Sequence, residues 1–378
     1  MTSITPTSTA RDHAADQPGG APLAILHIAD HVRNIGNGIV NVTVDLACAQ
    51  ADAGHRVAIA SAGGDYEPLL AAHGVAHHRL VREDTWPGRA RVVARLHSIV
   101  RRHAPEVVNA HRAFATVAAR LVKPLHRFAL VATDHNQFES KGRWLKLADR
   151  IIAVSQGAAA SLEASGIPRE RISVVPNGPL GGARRTLVAQ SGDMTLSRPA
   201  LVTVAGLLER KGVHVLLDAF ERLAPVEPEA HLYYVGEGPE RPVLADRARR
   251  SGLSDRVHIE GFQPDPGRYL RAADVFVLPS YCESFGLAAV EARIAGAPVV
   301  VSDAEGLPEA VDRGEAGLLV PAGDAPALAD TLRTLLASPD ERARWSERGR
   351  AGLERFGADR MAAETEVVYR QLLESRKR

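Results

Sequence analysis

The sequence predicts an α/β protein built from two Rossmann-like, doubly wound domains that face a central cleft. Short apolar runs of strand length alternate with amphipathic stretches of helix length in both halves of the chain, which is typical of parallel sheets covered by helices. A chain of 378 residues is also long for a single domain, and two domains of ordinary size account for it.

The alternation predicts where the domains begin and end. Residues 1–20 are polar, lack the apolar segment of a signal peptide and are expected to form a disordered tail. The first domain is expected over 21–180 and the second over 199–357, joined by an aperiodic, glycine-containing linker at 181–198. A last amphipathic stretch, 358–378, is expected to be a helix.

The first domain opens with the strand–loop–helix–strand pattern of a βαβ unit. A strand at 23–28 leads to a loop that contains Gly36 and Gly38, and a helix follows at about 39–53. The loop is not the G-x-G-x-x-G fingerprint of dinucleotide-binding proteins, because Asn41 occupies the position of the third glycine. A nicotinamide-dependent enzyme is therefore disfavoured.

The second domain holds the most informative stretch of the chain, two glutamates with seven residues between them. An apolar strand at 275–278 precedes Glu283, and Ser284 is a good N-cap for the apolar stretch that reaches Glu291. A helix that starts there places Glu291 about two turns in, roughly 12 Å along the axis. Free amides at a helix N-terminus form a site for an anion, and a glycine among them allows close approach. The residues that supply these amides are Phe285, Gly286 and Leu287.

Three predicted strands of the first domain end in polar residues, at 109–111, 133–136 and 176–178. In open α/β sheets the carboxyl ends of the strands face the ligand crevice, so these residues are expected at the cleft. A single histidine in such a position, such as His111, is nevertheless more often a loop residue than a catalytic one.

The two-glutamate stretch resembles the E-x7-E motif of retaining glycosyltransferases of family 4, which have the two-domain GT-B fold. The resemblance extends over nearly all of residues 22–375 and is strongest in the second half. It implies that Glu283 binds the donor sugar and that Glu291 binds the ribose hydroxyls of the nucleotide. It also implies that the first domain is the acceptor side, that the second binds the nucleotide sugar, and that the terminal helix crosses back onto the first.

Further residues match the site of that family. His111 corresponds to its active-site histidine, beside the donor sugar and the acceptor, and Lys211 corresponds to its phosphate-binding lysine. Gly38 belongs to the first glycine loop, where the family often has two glycines in a row. The family usually carries an arginine five residues before the lysine, but Gly206 occupies that position here, and Arg210 is the expected substitute.

The resemblance also implies the reaction. A sugar moves from a UDP- or GDP-sugar donor to a hydroxyl of the acceptor, expected to be a saccharide or lipid-linked saccharide of the cell envelope. Retention of configuration requires either a carboxylate nucleophile or attack on the face that the leaving group departs from, and the second is favoured because no carboxylate is marked as a nucleophile. Lys211 and the helix amides suit the leaving diphosphate. No D-x-D motif suited to Mg²⁺ is present, so neither a metal nor another cofactor is expected.

Other functions stay open at this point. A nucleotide-sugar epimerase on the same fold would need acid/base carboxylates in the cleft, for which Glu309 and Asp134 are the candidates. A degenerate nucleotide-binding protein is made possible by Gly206. Within the transferases, glycosylation of a small-molecule metabolite is the alternative to envelope assembly.

Charge is balanced overall but not along the chain. Residues 1–185 carry 22 basic and 15 acidic residues, whereas 186–378 carry 24 and 30. The basic, amphipathic segment 86–103 is expected to be a helix on the sheet, with docking to an anionic membrane surface as the alternative. The residues that could form such a basic face are Arg89, Arg91, Arg95, Arg101, Arg102, Arg112, Lys123 and Arg127.

Location and partners follow from the same composition. The 2 cysteines fit no metal-ligand spacing, which is typical of a reduced, cytoplasmic protein. No apolar run approaches the roughly 18 residues that a membrane span needs. The expected location is cytoplasmic, at most peripheral at the inner membrane face, and no nucleic-acid partner is expected.

Overall fold

The computed structural model describes residues 20–83, 85–135, 142–185, 192 and 194–377. Two parallel sheets with flanking helices confirm the predicted two-domain α/β fold. The predicted tail lies outside the described residues except for Gly20, as do 186–191 and 193 of the predicted linker.

The first sheet has seven strands, all parallel, in the order β3-β2-β1-β4-β5-β6-β7. Its three central strands are wholly buried because helices cover both faces, whereas the edge strand at 76–79 is exposed or half-buried. The seven strands are β1 (Ala24–Ile28), β2 (Arg56–Ser61), β3 (Ala76–Arg79), β4 (Val107–Ala110), β5 (Ala129–Asp134), β6 (Arg150–Ala153) and β7 (Ile172–Val174).

The second sheet has six parallel strands in the order β10-β9-β8-β11-β12-β13. They are β8 (Ala200–Val204), β9 (His231–Val235), β10 (Val257–Gly261), β11 (Val275–Leu278), β12 (Val299–Ser302) and β13 (Leu318–Val320). The strand order reverses direction between β1 and β4 in the first sheet and between β8 and β11 in the second. A reversal opens a crevice at the carboxyl ends of the strands, which is where ligands bind in such sheets.

Helices follow most strands. Those associated with the first sheet are α1 (Gly38–Asp52), α2 (Glu67–Ala72), α3 (Trp86–His103), α4 (Ala113–Val122), α5 (Gly142–Leu145) and α6 (Gln156–Ala164). Those that follow along the chain are α7 (Val213–Leu223), α8 (Arg241–Arg250), α9 (Gly267–Ala272), α10 (Leu287–Ala295), α11 (Leu307–Ala310), α12 (Ala325–Ala337), α13 (Pro339–Arg350) and α14 (Ala358–Ser375).

The terminal helix α14 packs on the first domain. Its buried Met361, Val368 and Tyr369 share a core cluster with Val44 of α1. Tyr369 also accepts a hydrogen bond of 2.8 Å from Asn109 Nδ2, on β4. The chain therefore ends against the domain in which it begins.

Helix α3 lies on the first sheet with its apolar face inward. Val92, Leu96, Ile99 and Val100 are buried, whereas the arginines that alternate with them are exposed. The apolar face is therefore used by the core and is not available for insertion into a membrane. Within the part of the chain that the structure describes, no helix combines the length and the hydropathy of a membrane span.

Candidate active site between the two domains

A cavity of about 730 Å³ lies between the two sheets, at the carboxyl ends of their strands. The first domain contributes Ile35, Gly36, Asn37, Gly38, Ile39, Asn41, Arg112, His135 and Asn177. The polar part of the second-domain wall consists of Arg210, Lys211, Glu237, Gln263, Glu283 and Glu291, together with the backbone of Gly206, Gly236 and the 285–288 segment. The cavity brings together eight of the ten site residues expected from sequence; His111 and Ser284 do not line it.

The amides at the start of α10 form one wall of the cavity. Gly286 is the N-cap, at φ 91°, and the helix starts at Leu287. The prediction that Ser284 caps this helix is wrong: its hydroxyl has no partner among the described residues, and its carbonyl accepts a 2.6 Å hydrogen bond from Ser155 Oγ. The backbone amides of Gly286, Leu287 and Ala288 donate no hydrogen bond within the described chain, so they are available to an anion.

The later helix start also moves Glu291. It is the fifth residue of α10, about one turn and 6 Å from Leu287 rather than two turns in. The amides and the Glu291 carboxylate are therefore closer together than the sequence predicts. A side chain at position 286 would be strained, because φ is positive there and a Cβ would lie 2.6 Å from Leu307 Cδ2.

Lys211 and Glu283 form an ion pair on the second-domain wall. Both side chains are largely buried, with 14% and 15% of their surface exposed, so the pair is screened little by solvent. Gly212 permits this arrangement: it has φ 66°, and a Cβ on it would lie 1.8 Å from the carbonyl oxygen of Pro279. The K-G sequence thus places the ammonium beside the loop that carries Glu283.

Glu291 faces a cation that sequence reasoning missed. Arg184 Nη2 lies 3.9 Å from Glu291 Oε1 and 2.9 Å from Asp45 Oδ2, and Arg184 N donates to Asp45 Oδ1 at 3.1 Å. Burial raises the pKa of Glu291, while Arg184 and Arg185 act in the opposite direction. Arg184 falls in the segment expected to be a linker, where no local motif marks it.

Gly206 lies on the cavity wall with open space around it. A Cβ there would be 3.6 Å from Leu208 Cδ1 and 3.8 Å from Glu237 O, which is ordinary contact. Arg210 lines the same cavity, as the sequence analysis expects of a substitute cation. Its backbone carbonyl is fixed by a 2.9 Å hydrogen bond from Tyr281 N.

The histidine on the cavity wall is His135, not His111. His111 is fully enclosed, with Nε2 2.9 Å from His27 Nδ1 and Nδ1 2.9 Å from His135 Nε2. The expectation that His111 itself lies in the cleft is therefore not met by the geometry. His111 follows β4 and His135 follows the neighbouring strand β5, so the two histidines lie at adjacent strand ends.

Contacts across the domain boundary fix the walls. Glu309 of α11 accepts hydrogen bonds from the first amides of α6, at 2.9 Å from Gln156 N and 3.0 Å from Gly157 N. A carboxylate at a helix N-terminus is stabilised by the free amides and the helix dipole. Glu309 therefore joins the two domains and is not a free acid or base in the cleft.

One member of the predicted basic face belongs to the cavity instead. Arg112 lies on the cavity wall, and its Nε is 3.0 Å from Asp30 Oδ2. Lys123 is paired with Asp149, and Arg91 with Glu83. The remaining exposed members of the basic face are Arg89, Arg95, Arg101, Arg102 and Arg127.

Comparison with known proteins agrees with this architecture. A family model described as glycosyltransferase family 4 matches residues 36–178, and one described as glycosyl transferases group 1 matches 190–352. The lipopolysaccharide core biosynthesis glycosyltransferase LpsE of Rhizobium meliloti is 31% identical over 280 residues, which are 74% of this chain and 78% of that protein. The chain belongs to glycosyltransferase family 4. It is a glycosyltransferase with the GT-B fold.

Other relatives match over shorter stretches or in fold alone. A phosphatidyl-myo-inositol mannosyltransferase of Mycobacterium leprae is 37% identical over 163 residues, 42% of this chain and 43% of its own. HepE of Anabaena, solved in complex with UDP and glucose, has a TM-score of 0.76 at 23% identity and covers 92% of this chain and 99% of that one. At that identity the likeness shows the fold.

Proposed function

We propose that this glycosyltransferase moves a sugar from a nucleoside diphosphate sugar to a hydroxyl of a saccharide, with retention of configuration. One observation carries the proposal: the same cavity wall holds free helix amides, a lysine paired with a glutamate, and a second glutamate one turn into the helix. Amides and an ammonium bind a diphosphate, and carboxylates bind ribose and sugar hydroxyls. The solved HepE complexes with UDP and UDP-glucose support the donor class.

Each residue has a role in this proposal. The diphosphate lies against the amides of Gly286, Leu287 and Ala288, and Lys211 leaves Glu283 to contact it. Glu283 is then free to bind hydroxyls of the transferred sugar, and Glu291 binds the ribose. As the anomeric bond breaks, negative charge grows on the departing phosphate, and the fixed amides and Lys211 stabilise it.

The route proposed for retention is attack on the face from which the leaving group departs. The three carboxylates on the cavity wall each face a cation: Glu283 faces Lys211, Glu291 faces Arg184, and Glu237 faces Arg241. None has the isolated position of a nucleophile that forms a covalent intermediate. The acceptor hydroxyl therefore attacks directly, and its proton passes to the departing phosphate oxygen.

The proposal requires no metal, because the amides, Lys211 and Arg210 supply the positive charge that a metal would otherwise bring to the diphosphate. Among the described residues, no three histidine, cysteine or acidic side chains come together as a metal site. One of the two acid/base candidates of an epimerase is also removed, since Glu309 is engaged with the amides of α6.

The proposed acceptor is a saccharide or lipid-linked saccharide in lipopolysaccharide or polysaccharide assembly, on the cytoplasmic side of the membrane. The similarity to LpsE supports this setting. Leu121 and Leu125 are exposed near the end of α4, and their neighbours in the chain, Arg120 and Pro124, line a surface cavity together with Lys146. Apolar tips flanked by cations are suited to an anionic lipid surface.

Donor binding tests the proposal directly. A panel of UDP- and GDP-sugars, each added to purified protein, should contain one donor that raises the thermal midpoint, since a ligand at 100 times its Kd adds about 2.7 kcal/mol to the free energy of unfolding. Calorimetry on that donor and on its nucleotide separates binding of the sugar from binding of the diphosphate. Absence of a shift with every donor in the panel would contradict the proposal.

Binding to lipid is tested separately, by cosedimentation with anionic and neutral vesicles across a salt series. We expect anionic vesicles to bind the protein and the binding to fall as salt rises. The double variant Leu121→Ser and Leu125→Ser should weaken it. Val226→Ser is the matched control, because Val226 is exposed to the same 59% as Leu121 but belongs to the second domain. Equal binding to both vesicle types would end the membrane proposal.

A further inference from the structure

The imidazole rings of three histidines form a row that begins inside the first domain and ends at the cavity wall. His27 is on β1, His111 follows β4 and His135 follows β5, so the row crosses neighbouring strands. His27 Nδ1 lies 2.9 Å from His111 Nε2, and His111 Nδ1 lies 2.9 Å from His135 Nε2. The inner end of the row meets Gln50 of α1, whose Oε1 is 2.8 Å from His27 Nε2. The outer end is the ring of His135 on the cavity wall.

All three rings are neutral at physiological pH. Burial lowers the pKa of His27 to about 4 and that of His135 to about 3, and it lowers the pKa of His111 well below its usual range. The guanidinium of Arg112 acts on His135 in the same direction. A neutral imidazole has one N–H and one lone pair. Both hydrogen bonds between histidines must therefore run in the same direction along the row.

Gln50 sets that direction. Its Oε1 can only accept, so His27 donates through Nε2 and keeps a lone pair on Nδ1. His111 must then donate to that lone pair through Nε2, and His135 must donate through Nε2 to His111. The outer nitrogen, His135 Nδ1, is left with a lone pair and has no hydrogen-bond partner among the described residues.

We propose that His135 Nδ1 accepts a hydrogen bond from a sugar hydroxyl in the cleft, and that His111, His27 and Gln50 hold His135 in the tautomer that can do so. This inference rests on the proposed function, because it assigns a sugar to the cavity. It makes His135 the histidine that contacts substrate. His111 acts through it and is a positioning residue.

In the opposite proton order each ring would carry its proton on Nδ1, and spectroscopy can tell the two orders apart. If the amide of Gln50 were turned round, Nε2 would donate to His27 and every proton in the row would move to Nδ1. His135 would then present an N–H to the cleft and would donate to a substrate oxygen. The amide orientation thus decides whether the cavity wall offers an acceptor or a donor.

Nitrogen-15 NMR of the histidine side chains distinguishes the two orders without any assay of activity. Long-range proton–nitrogen correlation spectra report which ring nitrogen carries the proton, and single His→Gln variants assign the three sets of signals. We expect all three rings to be protonated on Nε2. A proton on Nδ1 of His135 overturns the proposal.

Two variants at one position test the contact with substrate. In His135→Gln the side chain still reaches His111 but offers nothing at the Nδ1 position, whereas in His135→Asn the amide oxygen takes the place of Nδ1. We expect transfer to fall at least tenfold in His135→Gln and to be restored at least partly in His135→Asn, with nucleotide affinity unchanged by calorimetry. Equal activity of both variants and the wild type overturns the proposal.

Donor hydrolysis without acceptor, measured on the same variants, tells which sugar the nitrogen contacts. A loss of hydrolysis along with transfer assigns the contact to the transferred sugar, and a loss of transfer alone assigns it to the acceptor; either result supports the proposal. If the wild type itself binds no nucleotide, the proposed function fails, while the proton order remains testable by NMR.

Discussion

The row of buried histidines makes the protein sensitive to acid in a way that can be measured at His27. Burial lowers the pKa of His27 from 6.5 to about 4 in the folded chain. Below pH 6.5 the unfolded chain binds a proton at this residue that the folded chain does not. Acid therefore favours the unfolded state. The free energy of unfolding decreases as the pH falls from 6.5 to about 4.

The size of the effect follows from the two pKa values. Between pH 7.5 and pH 5 the unfolded histidine gains its proton while the folded one stays neutral, which lowers the free energy of unfolding by about 2 kcal/mol. His111 and His135 act in the same direction. For a domain of 150–250 residues, about 2 kcal/mol corresponds to a change in Tm of about 4–8 °C.

The assay compares the wild type with His27→Gln at both pH values. Glutamine still reaches Gln50 from the Nε2 position and does not titrate, although it offers nothing to His111 at the Nδ1 position. The drop in Tm from pH 7.5 to pH 5 should be about 4–8 °C smaller in the variant, whatever its stability at pH 7.5. Because each protein is compared with itself at the two pH values, the change in Tm that the substitution causes at pH 7.5 cancels from the comparison. An identical drop in both proteins would refute the argument that His27 is buried and neutral.

Three further predictions concern the cavity. Glu291→Gln should weaken nucleotide binding about 10- to 100-fold, because a charge-assisted hydrogen bond to the ribose is lost; calorimetry checks this, with the exposed Glu374→Gln as control. Lys211→Ala should lower kcat more than it raises the donor Kd, since charge on the diphosphate is largest in the transition state; a normal kcat with a raised KM would contradict it. Activity should survive dialysis against EDTA, and a loss that Mg²⁺ or Mn²⁺ restores would refute metal independence.

The fold could be predicted from the sequence because each buried parallel strand is a short apolar run between polar loops. Val275–Leu278 and Ala129–Asp134 are examples in which every residue is buried. The wall built by Lys211, Glu283 and Glu291 was also predictable, since Lys211 follows β8, the two glutamates follow β11, and a motif fixes the spacing of the glutamates.

The start of α10 could not be predicted because tertiary contacts decide it. Ser284 has the side chain of an N-cap, but its carbonyl is engaged by Ser155 and the carbonyl of Glu283 accepts from Gly306 N at 2.9 Å. These contacts come from the other domain and from a later loop, so they leave no local signal. The helix starts only after Gly286, whose positive φ no other residue adopts easily.

His135 was expected at the cleft with residues 133–136, but the sequence did not single it out over His111, for a related reason. Both His111 and His135 follow predicted strands, and which ring reaches the cleft depends on how three neighbouring strand ends pack. Arg184 was missed because its partners, Asp45 and Glu291, are 139 and 107 positions away along the chain. Sequence periodicity carries no information on pairs of that kind.

In the proposed reaction a sugar leaves a nucleoside diphosphate and reaches an acceptor hydroxyl with its configuration retained. The most direct measurement is proton NMR of the anomeric signal of the transferred sugar, made on the product of the donor that the thermal panel selects and a saccharide acceptor. We expect a product with the same anomeric configuration as the donor and one nucleoside diphosphate released per sugar transferred. An inverted anomeric centre would contradict attack on the departing face, and an epimer of the donor formed without acceptor would contradict the transfer itself.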